Sequence, residues 1–330
     1  MDKGKCPDIS VIITTFNSEH YISRITSSVE TFFLNYSYEI IFIDDNSKDA
    51  TVRVIQKLMK KNHRIKLITK KTHKGVSNSR NLGLNISSGK YIMFCDDDDE
   101  LLGTLPEIKL HSDIISFSQY ANSAHNRKES LISDMFGFNN TRKGYSGFNG
   151  GCCSKLFSRK MLCNNSIRFN EKLTDSEDVL FNVEAILKSN TIKSIRQGIY
   201  KYNLRKGSTT HKKNTYLLKN HLLFINDMSE LFNSFHLSNS LLLKIKSLYL
   251  YQLVFRYFVY SSCFKKEYIE YYNQCFENSN AKWNANLNRI VEISTINIVN
   301  NFGIRAAVIF AKLYLNLKHK IKLKENQFVL

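Results

Sequence analysis

Apolar positions in the first hundred residues alternate between short unbroken runs and longer stretches at helical intervals. Residues 10–15 (SVIITT) form a β-branched run that suits a strand covered on both faces. From about 18 to 35, Tyr21, Ile22, Ile25, Val29, Phe32 and Phe33 recur at helical spacing. Residues 39–44 (EIIFID) predict a second strand, and 49–61 a second helix with Val52, Ile55, Leu58 and Met59 on one side. A third strand at 65–69, a helix at 76–86 and a fourth strand at 91–95 (YIMFC) complete the pattern. Such alternation means β-α-β units and a mostly parallel sheet, hence an α/β fold.

Further along, 113–120 (DIISFSQY) reads as a strand, and the Asn-, Ser- and Gly-rich stretch 121–150 as a loop or irregular insert. Residues 151–163 read as a helix. Residues 177–188 read as another, opening on acidic residues that suit a positive helix end. Residues 194–202 predict a strand, and from about 216 the pattern is helical and rich in Leu, Phe and Tyr. The expected division is a reaction domain at 1–212 and a helical, basic region at 213–330.

Composition narrows the class. With 43% apolar residues among 330, the chain is no disordered protein, and two prolines with thirteen glycines exclude collagen-like classes. The net charge is +18, of which residues 201–330 carry +12, and this predicts attraction to something anionic. Nucleic acid, an acidic membrane surface and a phosphorylated substrate all qualify. Seven cysteines, with Cys152 and Cys153 adjacent and no C-x-x-C pair, suit a reduced, cytoplasmic protein better than a disulfide framework. The amino terminus has no apolar signal core, and no run of about 18 apolar residues predicts a membrane span.

In parallel sheets, ligands sit beyond the carboxyl ends of strands. Those ends carry Thr14-Thr15-Phe16-Asn17, Asp44-Asp45-Asn46-Ser47 and the acidic run from Asp96 to Glu100. Alternation of side chains puts Asp96 and Asp98 on one side. Two such carboxylates make a seat for a hard divalent cation that also holds a diphosphate. On the pattern alone, a solvated acidic turn stays open. An EF-hand does not fit, because the D-x-D-x-D-G loop is missing. GLNISSGK (83–90) has a spacer too long for a P-loop, and no G-x-G-x-x-G, H-E-x-x-H or G-x-S-x-G occurs.

Five segments in order, SVIITTFN, IIFIDDNSKDAT, GVSNSRNLGL, GKYIMFCDDDDEL and SEDVLF, resemble family 2 glycosyltransferases of the GT-A fold. The resemblance is dense over about 1–110 and sparser to about 210. It implies a Rossmann-like, mostly parallel sheet and a nucleotide-sugar-dependent transferase of bacterial polysaccharide synthesis. Thr14, Phe16 and Asn17 would hold the base and ribose, with Asp45 accepting the N3 proton of uracil and Asp44 orienting the loop. Thr14 stands where relatives often have Pro. Capping is the blander role for Asn17 and Ser47. Arg80 would face the phosphates or donor sugar, where the alternative is a surface arginine. Asp96 and Asp98 match the D-x-D motif as ligands of Mn²⁺ or Mg²⁺, with Asp98 the more direct, and Asp97 is carried over as a donor-sugar contact.

The same resemblance makes Asp178 the catalytic base of an inverting displacement, taking the acceptor hydroxyl proton. Glu177 beside it would touch acceptor or cap the helix. Residues 200–210 resemble a segment that covers the diphosphate, with Arg205 and Lys206 on phosphate and His211 completing the metal shell. The implied partners are a UDP-linked donor and a glycan or lipid-linked acceptor of cell-surface polysaccharide, at the inner face of the cytoplasmic membrane. Residues 303–324 pattern as a basic amphipathic helix, fit either for an anionic membrane surface or for packing on the protein. Nucleic-acid binding, the rival suggested by charge, gives the acidic run no use and is not expected. A catalytically silent sugar-nucleotide binder is the other rival.

Overall fold

The computed structural model describes residues 6–121, 127–138, 148–203 and 217–253. The chain divides into two units, Met1–Lys212 and Lys213–Leu330.

In the first unit, the β-branched run forms β1 (Ile9–Thr15), whose residues Ile9, Val11, Ile12 and Ile13 are fully buried. It pairs in parallel with β2 (Tyr38–Asp44) on one side and β4 (Tyr91–Asp96) on the other. β3 (Ile65–Thr69) extends the parallel set beyond β2. The intervening helices α1 (Ile22–Phe32), α2 (Thr51–Lys61) and α3 (Val76–Ile86) make the crossovers. α1 buries Ile22, Ile25, Val29 and Phe32 at helical intervals, and these join Val11, Ile13, Ile40 and Phe42 in one core. On α3, Gly83 lies so close to β1 that a Cβ there would come within 2.4 Å of Ile12 Cγ2. Only a glycine lets helix and strand approach that closely.

Beyond β4 the sheet continues through β7, β6 and β8, giving the order β3-β2-β1-β4-β7-β6-β8 among the described residues. β6 is Ile114–Phe117, β7 Lys155–Ser158 and β8 Ile192–Ile195. β7 runs against both neighbours, while β6 and β8 are parallel. A separate two-stranded sheet joins β5 (Glu100–Leu101), which begins on the last residue of the acidic run, to β9 (Tyr200–Lys201).

Three expectations change. The stretch 121–150 contains helix α4 (Lys128–Met135), held by burial of Leu131 and Ile132. Residues 151–163 are not one helix. Leu156 and Phe157 are needed as a strand between β4 and β6, and Ser154 turns the chain with φ 59 before them. The Ser158 hydroxyl then accepts from the Met161 N–H and starts α5 (Arg159–Asn164). The stretch 194–202 is divided between β8 and β9, which belong to different sheets.

Helix α6 (Glu177–Lys188) packs through Phe181 on an aromatic cluster, stacked on Phe169 at 4.0 Å and edge-on to Phe94 at 5.7 Å. This anchors the first turn of α6 beside the end of β4. In the second unit, α7 (Leu217–Ser234) and α8 (Asn239–Leu253) pack through Phe224 and Tyr249, stacked at 4.3 Å. Among the described residues, no helix is long and apolar enough to cross a membrane.

Candidate functional site

The register of the parallel strands assembles the site. Thr15 lies opposite Asp44, and Thr14 opposite Asp96, so the ends of β1, β2 and β4 open on one edge. Asp44 turns back and accepts from the Thr15 hydroxyl at 3.2 Å and the Ser47 N–H at 3.0 Å. It orients the loop, as the sequence suggested. Asn17, with φ 51, receives the Lys48 N–H on its Oδ1, while the Ser47 hydroxyl accepts from the Asn17 N–H. These side chains tie two loops together rather than cap α1 or α2, whose N-caps are Tyr21 and Ala50.

Asp45 is more heavily engaged than its expected role implies. Lys70 Nζ lies 2.6 Å from Oδ1 and His73 Nδ1 2.9 Å from Oδ2. The N–H groups of Lys74 and Gly75 also donate to the carboxylate, at 2.9 and 2.7 Å. Both oxygens are therefore bound by this chain, which makes Asp45 the knot between β2 and the loop before α3. Beside it the half-exposed ring of Phe16 (41% accessible) packs on His73 with centroids 4.4 Å apart.

Residues 97–98 form a turn after β4, with the Asp99 N–H donating to Asp96 O at 3.3 Å, so the acidic run is not the extended chain that alternation supposes. Asp97 and Asp99 turn inward and are buried, while Asp96 and Asp98 retain accessibility. Asp97 accepts from the Phe16 N–H at 3.1 Å and from the Ser18 hydroxyl. Burial pushes its carboxyl up to about 7 against the pull of Ser18, and the charges of Asp98 and Asp96 add to the rise. Asp97, carried over as a sugar contact, is thus a brace under the β1 loop. Asp99 receives the Tyr200 hydroxyl at 2.6 Å and the Asn203 N–H at 2.9 Å. Burial raises it to about 6. The Tyr200 oxygen also accepts the Asp96 N–H at 3.1 Å, so the start of β9 shapes the acidic turn.

Arg80, expected at the phosphates, is buried at 7% side-chain accessibility. It donates at 3.0 Å to both Asp96 Oδ1 and Glu177 Oε1. Its guanidinium lies 5.2 Å from the Phe169 ring centre. Neighbouring carboxylates hold its pKa up in spite of burial. Asp178, next along α6, accepts the Val179 N–H at 2.8 Å. Burial, reinforced by the Glu177 charge and opposed by Arg80, pushes its carboxyl up to about 7. A carboxylate poised near neutrality can take a proton from a hydroxyl.

Thr14, Phe16, Asn17, Asp45, Arg80, Asp96, Asp97, Asp98 and Asp178 all lie at this edge or at the start of α6. Arg205, Lys206 and His211 lie outside the described residues, as does the basic stretch 303–324. Among the described residues, no three His, Cys, Asp or Glu side chains form a metal-binding group. The outward pair Asp96 and Asp98 offers hard oxygen donors, and Mg²⁺ or Mn²⁺ bridging to phosphate needs only one or two protein carboxylates. The residues present fit such an ion.

Sequence reasoning missed Lys70, His73 and Ser18, and took Tyr200 and Asn203 only as part of the segment 200–210, without their contacts to Asp96 and Asp99. Each acts through contacts of long sequence separation, such as Tyr200 with Asp96, that no local pattern signals.

The sequence model of Glycosyl transferase family 2 matches residues 10–162. The Escherichia coli UDP-Glc:alpha-D-GlcNAc-diphosphoundecaprenol beta-1,3-glucosyltransferase WfgD is 30% identical over 217 residues, which cover 62% of this chain and 80% of that protein. Staphylococcus aureus TarS, a poly(ribitol-phosphate) beta-N-acetylglucosaminyltransferase, is 27% identical over 219 residues. These cover 63% of this chain but only 37% of TarS. A crystal structure of TarS 1–349 in complex with UDP-GlcNAc superposes with TM-score 0.60 at 21% identity, over 94% of this chain and 92% of that one. That likeness extends to the fold of the mostly parallel sheet and its helices.

Proposed function

This chain belongs to glycosyltransferase family 2, and from that premise we propose that it transfers a sugar from a nucleotide-diphosphate donor to an acceptor hydroxyl. The donor is UDP-linked and the acceptor a glycan or lipid-linked saccharide of cell-surface polysaccharide synthesis. Support comes from the relatives, whose names specify a UDP-glucose donor with a diphosphoundecaprenol acceptor, and a poly(ribitol-phosphate) polymer.

The observation that carries the reading is the bridge from Asp96 through Arg80 to Glu177, which sets the D-x-D turn beside Asp178. Phe16 offers a ring face to the base, on a loop that Asp97 braces. Asp96 and Asp98 would hold Mn²⁺ or Mg²⁺, which when bound neutralises charge on the leaving diphosphate. Asp178 takes the acceptor hydroxyl proton as that oxygen attacks the anomeric carbon opposite the diphosphate. A single displacement of this kind inverts the anomeric centre. The Arg80 cation offsets the charges of Asp96 and Glu177 and so lets the acidic turn and the start of α6 stand side by side.

A panel of UDP-, GDP- and dTDP-sugars, with and without Mn²⁺, tests the reading through nucleotide release on adding undecaprenyl-diphosphate saccharides. Release confined to one UDP-sugar and dependent on acceptor is the expected result. No release and no thermal protection by any donor would overturn it. The basic stretch 303–324 is proposed to draw the enzyme to anionic lipid at the inner membrane face. Truncation before Gly303 should then move protein from the membrane to the soluble fraction, and an unaltered distribution would refute that part.

A further inference from the structure

β7 opens with a lysine that has no access to solvent. The ammonium of Lys155 donates to Asn149 Oδ1 and Gly151 O at 2.6 Å each, and to Asn149 O at 3.0 Å. Its three donors thus meet three acceptors, and the Phe148 ring centre lies 4.7 Å away. Every one of those acceptors is neutral. An apolar side chain of the same length would fill the space without the cost of burying a charge. What the ammonium holds is therefore the reason to look for a role.

It holds residues 149–151, and they lie against α6. Asn182 Nδ2, one turn beyond Asp178, donates to Gly150 O at 2.6 Å. A Cβ at Gly150 would stand 3.2 Å from Val179 Cγ2, and one at Gly151 would stand 3.8 Å from Asp178 Oδ2. Bare backbone, gathered from inside by Lys155, faces the carboxylate of the base.

We propose that Lys155 is a positioning residue for the transfer step, fixing residues 149–151 against the start of α6 and so setting the place and charge of Asp178. This rests on the reading of Asp178 as the base. The charged groups facing Asp178 are Glu177 on its own helix, Arg80 from α3, Asp96 from the end of β4 and Lys155 from β7. Burial draws the lysine down to about 8, while Cys152, Cys153 and Asp178 pull it upward, so it carries charge at neutral pH.

The test is Lys155→Met in the full chain, with steady-state kinetics across pH and calorimetric titration of UDP. Misplacing the base by a fraction of an ångström is expected to lower kcat by roughly tenfold or more. The donor KM and UDP affinity should stay within about twofold, because the base and phosphate contacts lie on other elements. Loss of the cation should also move the acidic limb of kcat/KM upward by about half a pH unit or more. A purely structural lysine would change the melting temperature and leave that limb in place. Folded Lys155→Met with unaltered kcat and limb overturns the proposal. Should that variant not fold, Asn149→Ala, which removes one acceptor and keeps the charge, is expected to lower kcat at unchanged donor KM, and unchanged kcat there overturns the proposal as well. Asp178→Asn separates the two readings. Transfer retained in Asp178→Asn removes the base assignment itself. Transfer lost there but untouched in Lys155→Met removes only the role of the lysine.

Discussion

Arg80 on α3 donates to Asp96 at the end of β4 at 3.0 Å, and the same guanidinium reaches Glu177 on α6 at the same distance. One buried cation therefore joins the acidic turn to the helix that carries Asp178. Two carboxylates this close to each other and to Asp178 would repel without it. The arginine is the common counter-charge of the acidic turn and of the start of α6, which explains why it is buried rather than open.

Replacing Arg80 by Met should therefore damage stability and activity together. Removing one partner of a buried ionic network leaves uncompensated charge, at a typical cost of about 3–5 kcal/mol. Asp96 is partly accessible, so about 3 kcal/mol is the expectation from urea unfolding. Transfer should fall by more than about tenfold at saturating donor. Arg80→Met with unchanged unfolding midpoint would show that water compensates the two acids.

Asp178→Asn should abolish transfer, by about 10²–10⁴-fold, with UDP affinity preserved. In the parent enzyme kcat/KM should climb as pH rises through about 7, where Asp178 loses its proton. Stability runs the other way. A carboxyl whose folded pKa lies above its ordinary 3.8 holds its proton more tightly folded, so its contribution is present at low pH and lost as pH rises through about 7. Asp178→Asn should accordingly be more stable than the parent at pH 8, by on the order of 1–2 kcal/mol, and equal to it near pH 4. Denaturation at the two pH values checks the sign, and a gain larger at low pH would contradict it.

Much of the amino-terminal layout was legible because buried parallel strands are continuous apolar runs. The runs at β1, β2 and β4 have no other plausible use, and the acidic cluster after β4 stands out in any composition. An extended chain would put Asp96 and Asp98 on one side, yet residues 97–98 turn, and it is that turn which buries Asp97 and Asp99 and leaves Asp96 and Asp98 accessible. Illegible were features fixed by distant partners. Residues 151–163 carry helix-compatible side chains, yet Leu156 and Phe157 are captured between Ile92 and Ile115. Lys155 falls in that stretch, and a helical reading of it does not bring Asn149 and Gly151 around the ammonium. Asp45 matched a motif, but the motif could not report that Lys70 and His73 already occupy its oxygens.

The outward pair of the acidic turn yields a metal prediction. Chelation should remove transfer, and Mn²⁺ or Mg²⁺ should restore it. Asp98→Ala should raise the metal concentration needed for half-maximal activity by tenfold or more, about 1.4 kcal/mol or more. Asp99→Asn serves as a contrast, because Asp99 is turned toward Tyr200 and Asn203. It should chiefly lower the melting temperature. Equal metal dependence in the parent and Asp98→Ala would remove Asp98 from the ligand set.

Phe16 gives the cleanest separation of base from phosphate. Its N–H is held by Asp97 and its ring rests on His73, so the aromatic face is fixed before any ligand arrives. A preplaced ring loses little side-chain freedom when a planar base covers it, and stacking of a base on an aromatic side chain is worth about 1–3 kcal/mol. Phe16→Ala should weaken UDP about tenfold or more, Phe16→Tyr should bind nearly as the parent does, and inorganic pyrophosphate should not distinguish the three. His73→Ala, which removes the support and not the face, should fall between parent and Phe16→Ala. Calorimetric titration of UDP and pyrophosphate against the four proteins measures all of this. Equal UDP affinity for the parent and Phe16→Ala would mean that the base is bound elsewhere on this edge.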